Sequence, residues 1–177
     1  MLNNPRVTFV VTSFNYENYI EKTLESIKNQ TYDNFEIIVV DDCSSDNSVK
    51  IIREFISKNP DLKIKLIIHN ENKGQLGAYL TGLEAAEGVF VSFIDSDDYL
   101  ETADFYEKLY NKAIQTNADI TKGLYKNSFD NTVYENINNK DVVLRLSYDE
   151  YHTKKLSSKT IYNIIDPYDE RLIPVKK

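Results

Sequence analysis

"VFVSFIDSDDYL", Val89 to Leu100, decides how the rest of the chain is read. Its first six residues are almost continuously apolar and rich in β-branched and aromatic side chains, the pattern of a strand covered on both faces. Asp95, Ser96, Asp97 and Asp98 follow at once. Three carboxylates within four residues repel one another, so the end of this strand calls for a compensating partner.

Working outward, three similar runs precede it. "RVTFVVTSF" predicts a strand over 7–12, "FEIIVVDD" a second, and "IKLIIHN" a third. Helical periods separate them. In "YIEKTLESIKNQ", Ile20, Leu24 and Ile27 share one face. In "SSDNSVKIIREFISKNP", Val49, Ile52, Phe55 and Ile56 do so, with Ser44 or Ser45 as the expected N-cap and Pro60 as the stop. "LGAYLTGLEAAEG" predicts a third helix closed by Gly88 as the C′ residue. "ADFYEKLYNKAIQTN" predicts a fourth, with Phe105, Leu109 and Ala113 aligned, and "ADITKGLY" a fifth strand. This alternation implies an α/β/α sandwich around a mostly parallel sheet. Beyond Lys126, "SFDNTVYE" suggests a hairpin, and Pro167 and Pro174 interrupt the final segment.

The 177 residues fit one domain, and 41% hydrophobic content suffices for a core. The net charge of −7 and the lack of a basic stripe argue against nucleic acid. A phosphorylated ligand stays open, because a cation can bridge phosphates to acidic residues. The single cysteine, Cys43, excludes an internal disulfide. No run of eighteen apolar residues or signal-peptide start occurs, so the expected location is cytoplasmic, or the inner face of a membrane, with no span.

In open parallel sheets, ligands bind beyond the carboxyl ends of the strands. There this chain collects Thr12-Ser13-Phe14-Asn15, then Asp41 to Asp46, then His69 to Gly74, and finally Asp95 to Asp98. Asp95 and Asp97 form an Asp-x-Asp pair able to converge on Mg²⁺ or Mn²⁺, leaving open positions for diphosphate oxygens. The competing reading is a solvated turn capping the next helix. Asp42 can accept a hydrogen bond from a uracil N3–H or a ribose hydroxyl, or cap a helix alongside Asp46. Phe14 can stack on a base or be a plain core aromatic. Four of five glycines, Gly74, Gly77, Gly82 and Gly88, lie in or near one predicted helix. Gly74 and Gly77 suit a close ligand approach, and Gly82 a helix pressed onto the sheet. Neither G-x-x-x-x-G-K-[ST] nor G-x-G-x-x-G is present.

"VTFVVTSFNYENYIEKTLESIKNQTYDNFEIIVVDDCSSDNS" followed by "NENKGQLGAYLTGLEAAEGVFVSFIDSDD" resembles the N-terminal half of the family 2 glycosyltransferases, from about residue 6 to 125. The resemblance implies a GT-A fold of Rossmann-like α/β/α type, usually an inverting reaction, a nucleoside-diphosphate sugar donor (UDP foremost) and Mn²⁺ or Mg²⁺. It places Thr12 and Phe14 at the nucleoside, Asp42 at the base, and Asn72, Lys73 and Gly74 in a segment closing over the nucleotide. Asp97 would hold the metal, with Asp95 and Ser96 near the ribose and the metal's waters.

Three departures stand out. Ser13 replaces the usual proline. Ala78-Tyr79-Leu80-Thr81 stands where many relatives carry arginine and asparagine. No acidic residue downstream has a convincing context for the general base: Asp149 and Glu150 are weak candidates, and Asp166, Asp169 and Glu170 no better. The expected organisation is a nucleotide-sugar-binding core over 1–125 and, in the same domain, the start of an acceptor-side region over 126–177, ending before the base. The acceptor is open: a glycan, a lipid-linked sugar or a protein, with bacterial surface polysaccharide the expected setting. Alternative readings are a non-catalytic nucleotide-sugar-binding fragment and a metal-dependent nucleotidyltransferase-like enzyme. The latter lacks a glycine-rich basic first loop.

Overall fold

The computed structural model describes residues 7–116, Ala118, Thr121, 125–126, 133–134 and 174–176. The chain divides into two compact units, Met1–Lys108 with Pro174–Lys177, and Leu109–Ile173. In the first unit β1 (Val7–Ser13), β2 (Phe35–Asp41), β3 (Ile64–Ile68) and β4 (Phe90–Asp95) are parallel. β7 (Pro174–Lys176) adds antiparallel to β4, giving the order β3-β2-β1-β4-β7. Sequence order runs outward from β1 through β2 to β3, then returns to place β4 on the other side of β1. The strand order therefore reverses between β1 and β4, the position where such sheets open a crevice for ligands.

Register carries the polar residues to one rim. Ser13 pairs with Asp41, Asp41 with Ile68, and Thr12 with Asp95. β1 is buried at all seven positions, which explains its mainly apolar, β-branched pattern. Its side chains alternate between faces. Val10 joins Ile38, Val40, Ala78, Ala86 and Val91 in one cluster. Phe9 meets the rings of Phe35 and Tyr106 edge-on.

The helices are α1 (Ile20–Lys28), α2 (Ser48–Lys58), α3 (Gly74–Ala85) and α4 (Phe105–Thr116). α1 buries Ile20, Leu24 and Ile27 as expected, together with Thr23. α2 starts later than its serines suggested. Ser44 is taken by Asp41, whose carboxylate accepts the Ser44 amide at 2.9 Å and its hydroxyl at 2.6 Å. Asn47 is the N-cap residue, and Asp46 before it accepts the amide of Ser48, the first helical residue, at 2.9 Å. α3 ends at Ala85 with Ala86 as its cap, so Gly88 is not the C′ residue; it is glycine because an added Cβ would lie 2.7 Å from the Thr8 amide nitrogen. On α4, Tyr106, Leu109 and Ala113 are buried, while Phe105 is half-buried.

Beyond α4 the expected fifth strand lies largely outside the described residues. β5 (Tyr125–Lys126) pairs antiparallel with β6 (Val133–Tyr134); β6 falls within the segment 128–135 expected to form a hairpin, whereas its partner β5 precedes that segment. Pro174, read as an interruption, opens β7, where a missing N–H is tolerated at the first residue of an edge strand. No helix among the described residues is long and apolar enough to cross a membrane.

Opposite the polar rim, Glu36 staples the sheet. Its buried carboxylate accepts the Thr8 hydroxyl at 2.7 Å and the Glu87 amide at 2.8 Å, and pairs with Lys63 at 3.0 Å. Burial alone would raise this carboxyl, but those three partners outweigh it and hold Glu36 below the usual carboxylate range. Glu36→Ala is expected to cost about 2 kcal/mol in urea unfolding at neutral pH, mainly from the two stranded donors. The exposed lysine adds little. Because the folded-state value is depressed, this stabilisation is present above the unfolded carboxylate value and is lost as pH falls through the folded one. Glu36→Gln should therefore show a shallower loss of stability into acid; an unchanged acid limb would contradict the assignment.

Candidate functional site

The loops after β1 and β2 are tied together by side chains accepting backbone N–H groups. Asn15, at φ 60°, accepts the Ser45 amide at 2.8 Å. In return its own amide donates to the Ser44 hydroxyl at 2.9 Å. Asparagine is among the residues that tolerate this left-handed conformation. The Tyr16 and Glu17 amides donate to Ser48 Oγ and Asp46 Oδ2 at 2.9 and 3.0 Å. Phe14, immediately before this tied segment, is 43% exposed: it is not a core aromatic.

Asp42 stands just past β2, its amide donating to the Ser13 carbonyl at 2.8 Å. Its side chain is only 4% exposed. Asp42 Oδ1 meets His69 Nδ1 at 2.6 Å and accepts the Lys73 amide at 2.8 Å. Burial would raise this carboxyl, but the Lys73 and Gly74 amides and His69 outweigh it and hold Asp42 below the usual range. Asp42 thus anchors the Asn72–Lys73–Gly74 segment. There Gly74 adopts φ 74°, where a side chain would be strained, and its amide donates to Asn72 Oδ1 at 3.0 Å.

At the reversal point Asp95 is held from three sides. Thr12 Oγ1 donates at 3.1 Å, Tyr79 Oη at 2.6 Å, and Gln75 Nε2 reaches both carboxylate oxygens at 3.0 Å. Burial, then the adjacent Asp95 charge, pushes the Tyr79 phenol well above its ordinary value, so it is a permanent donor. Ser96 is fully buried, and its hydroxyl donates to the Thr12 carbonyl. Thr23 on α1 shares its one hydroxyl hydrogen between the Ser96 and Asp98 carbonyls, both at 2.7 Å. With its backbone fixed in this way, the loop presents Asp97 to solvent. Tyr16 lies beside it: burial and the carboxylates of Asp97, Asp95 and Asp98 raise its phenol.

The structure brings Thr12, Asp95 and Ser96 together at the reversal point between β1 and β4, and Asp42, Lys73 and Gly74 together beyond β2 on the same rim. Asp149 and Glu150 lie outside the described residues. Sequence reading missed Tyr79 and Gln75 as partners of Asp95, Tyr16 beside Asp97, and His69 with Thr81 behind Asp42. Gln75 and Tyr79 sit four residues apart on one helix face, a spacing visible in the sequence once the reversal point is known.

Among the described residues, no three His, Cys, Asp or Glu side chains gather into a metal cage. That suits a cation bound by one or two carboxylates and completed by substrate phosphates and water. An exposed Asp97 next to a clamped Asp95 offers that donor set.

A family model described as Glycosyl transferase family 2 matches residues 8–168. The chain belongs to that family. Glycosyltransferase GlyA of Streptococcus pneumoniae serotype 4 is 45% identical over 125 residues, covering 71% of this chain and 17% of GlyA. The crystal structure of S. aureus TarS 1–349 in complex with UDP aligns with TM-score 0.60 and 30% identity over 65% of this chain and 34% of that one. The mannosyltransferase PcManGT from Pyrobaculum calidifontis, in complex with GDP-Man and Mn²⁺, aligns with TM-score 0.65 and 28% identity over 72% and 37%. These GT-A neighbours bear out the expected fold class. The chain spans about a third of each solved relative and less of GlyA.

Proposed function

We propose that this chain is the donor-binding part of a glycosyltransferase that uses a nucleoside-diphosphate sugar, UDP foremost, with Mn²⁺ or Mg²⁺. The observation that carries the reading is Asp97, an exposed carboxylate on an otherwise immobilised loop at the strand-order reversal. Family membership and the UDP and GDP-Man complexes of the neighbours support it. Phe14 supplies a stacking face for the base, and Asp42 accepts from the base's ring N–H. Asn72 to Gly74 lie over the nucleotide. Asp95, oriented by Thr12, Gln75 and Tyr79, faces the ribose and the cation's waters, while Ser96 holds the loop to β1. Asp97 holds the cation, whose positive charge would stabilise the departing diphosphate.

In the transfer itself, an acceptor hydroxyl attacks the sugar's anomeric carbon as the bond to the diphosphate breaks. The hydroxyl proton goes to a carboxylate base. The family relation makes inversion the expected outcome. The acceptor's class is a matter for assays on glycan, lipid-linked and protein substrates.

Calorimetric titration of UDP into the chain with Mn²⁺, repeated with excess chelator, tests the donor reading. Micromolar-range binding that the chelator removes is expected (about 8 kcal/mol). A folded chain that binds neither UDP nor GDP with metal present would end it.

A further inference from the structure

Asp95, Tyr79 and Gln75 close a small ring of hydrogen bonds at the reversal point, and one polar atom is left over. The Tyr79 hydroxyl has a single hydrogen, which goes to Asp95 Oδ1 at 2.6 Å. The Tyr79 ring lies against Phe93, centroids 4.8 Å apart, so the place of its hydroxyl is set by packing. Toward Gln75 that hydroxyl accepts, from Nε2 at 3.1 Å. The same nitrogen reaches Asp95 Oδ1 and Oδ2, both at 3.0 Å. An amide nitrogen carries two hydrogens: one goes to Tyr79, and the carboxylate shares the other. The amide cannot turn over, because its carbonyl oxygen would then stand against the oxygens of Asp95 and Tyr79. Gln75 Oε1 remains. It has no donor among the described residues, and it sits on an exposed side chain. Beside it, Asp95 Oδ2 accepts from Gln75 alone among the described residues, whereas Oδ1 accepts from Thr12, Gln75 and Tyr79. The crevice thus offers two acceptors, while the hydrogens of Thr12, Tyr79 and the Gln75 amide are already committed.

We propose that Gln75 is a specificity-determining residue: with Asp95 it presents two acceptors to the ribose of the nucleotide, whose adjacent 2′- and 3′-hydroxyls supply two donors, and so it selects ribonucleotides over deoxyribonucleotides. The inference rests on the reading of Asp95 as the group that faces the ribose. Acceptors without a free donor suit a vicinal diol. Phosphate oxygens placed there would meet only other oxygens, so the diphosphate lies toward the cation at Asp97 instead. Tyr79 acts through Gln75 as a positioning residue, since its hydroxyl takes one amide hydrogen and thereby fixes the direction of Oε1.

Calorimetric titration of UDP, 2′-deoxy-UDP and 3′-deoxy-UDP in Mn²⁺ tests this on the wild type, Gln75→Leu and Tyr79→Phe. UDP carries no transferred sugar, so a hydroxyl effect seen with it belongs to the ribose. The wild type should bind UDP about tenfold more tightly than each deoxy analogue, the loss of one hydrogen bond apiece. Gln75→Leu should bring UDP and at least one analogue to within about twofold of each other. Tyr79→Phe keeps the carbonyl but lets the amide turn, so it should lose a smaller part of the same preference. A purely structural role for Gln75 would weaken all three nucleotides alike and leave their ratios unchanged, which would overturn the proposal. So would a wild type that binds UDP and both analogues equally. Failure of the wild type to bind any of the three would instead remove the donor reading on which the inference rests.

Discussion

Asp97→Ala is expected to weaken UDP binding in Mn²⁺ by more than about 100-fold while changing unfolding stability by less than about 0.5 kcal/mol. The two halves of that expectation come from the same feature. Asp97 projects into solvent from a loop whose conformation is set by other groups: Thr23 bonds the Ser96 and Asp98 carbonyls, and Ser96 bonds the Thr12 carbonyl. Removing the carboxylate leaves those bonds in place and relieves repulsion from Asp95 and Asp98. What is lost is the contact with the Tyr16 phenol and the proposed anchor of the cation that neutralises the diphosphate. Asp95→Ala should behave differently. It strands the donors of Thr12, Gln75 and Tyr79. A buried hydroxyl without an acceptor costs about 1–3 kcal/mol, so this variant should lose stability as well as affinity. Calorimetry and thermal melts on the two variants side by side separate these effects. An Asp97→Ala chain that binds UDP within threefold of the wild type would sink the assignment.

The strands were legible because a parallel sheet buried on both faces leaves little choice of residue: β1 and β2 read as apolar runs and fold as such. The rim followed, since polar residues after each run of a parallel sheet must emerge on one side. The partners on that rim were less legible. That Tyr79 serves Asp95 depends on β4 lying beside β1 under α3, and strand order has no signature in a single sequence. Tyr79 looked like the loss of a family arginine; in the fold it is a neutral donor to the same acidic loop. The serines before α2 misled for a local reason. A serine two or three residues past an aspartate can bond it instead of capping, and Ser44 does so with Asp41. Phe14 was undecidable alone, because an aromatic at a strand end suits a core as well as a ligand.

Gly82→Ala is expected to destabilise the chain by about 2–3 kcal/mol, although alanine is the better helix former by about 1 kcal/mol. Gly82 lies in α3 where the helix crosses β1. A Cβ there would stand 2.2 Å from Val10 Cγ1, 3.1 Å from Cγ2 and 3.2 Å from Cβ. Rotating Val10 exchanges one clash for another, and its backbone is fixed in the central strand, so the helix must move. Val10→Ala should relieve the clash. The double variant is then expected to be more stable than the sum of the two single losses allows, a coupling that urea unfolding of all four species would measure. A Gly82→Ala chain more stable than the wild type would mean that helix and sheet are not in contact there, and that glycine was only a weak point in the helix. The displacement also bears on the site. Gln75 and Tyr79 project from the same helix onto Asp95. An outward shift of even half an ångström lengthens both bonds, so UDP affinity should fall in Gly82→Ala although no group that faces the nucleotide has changed.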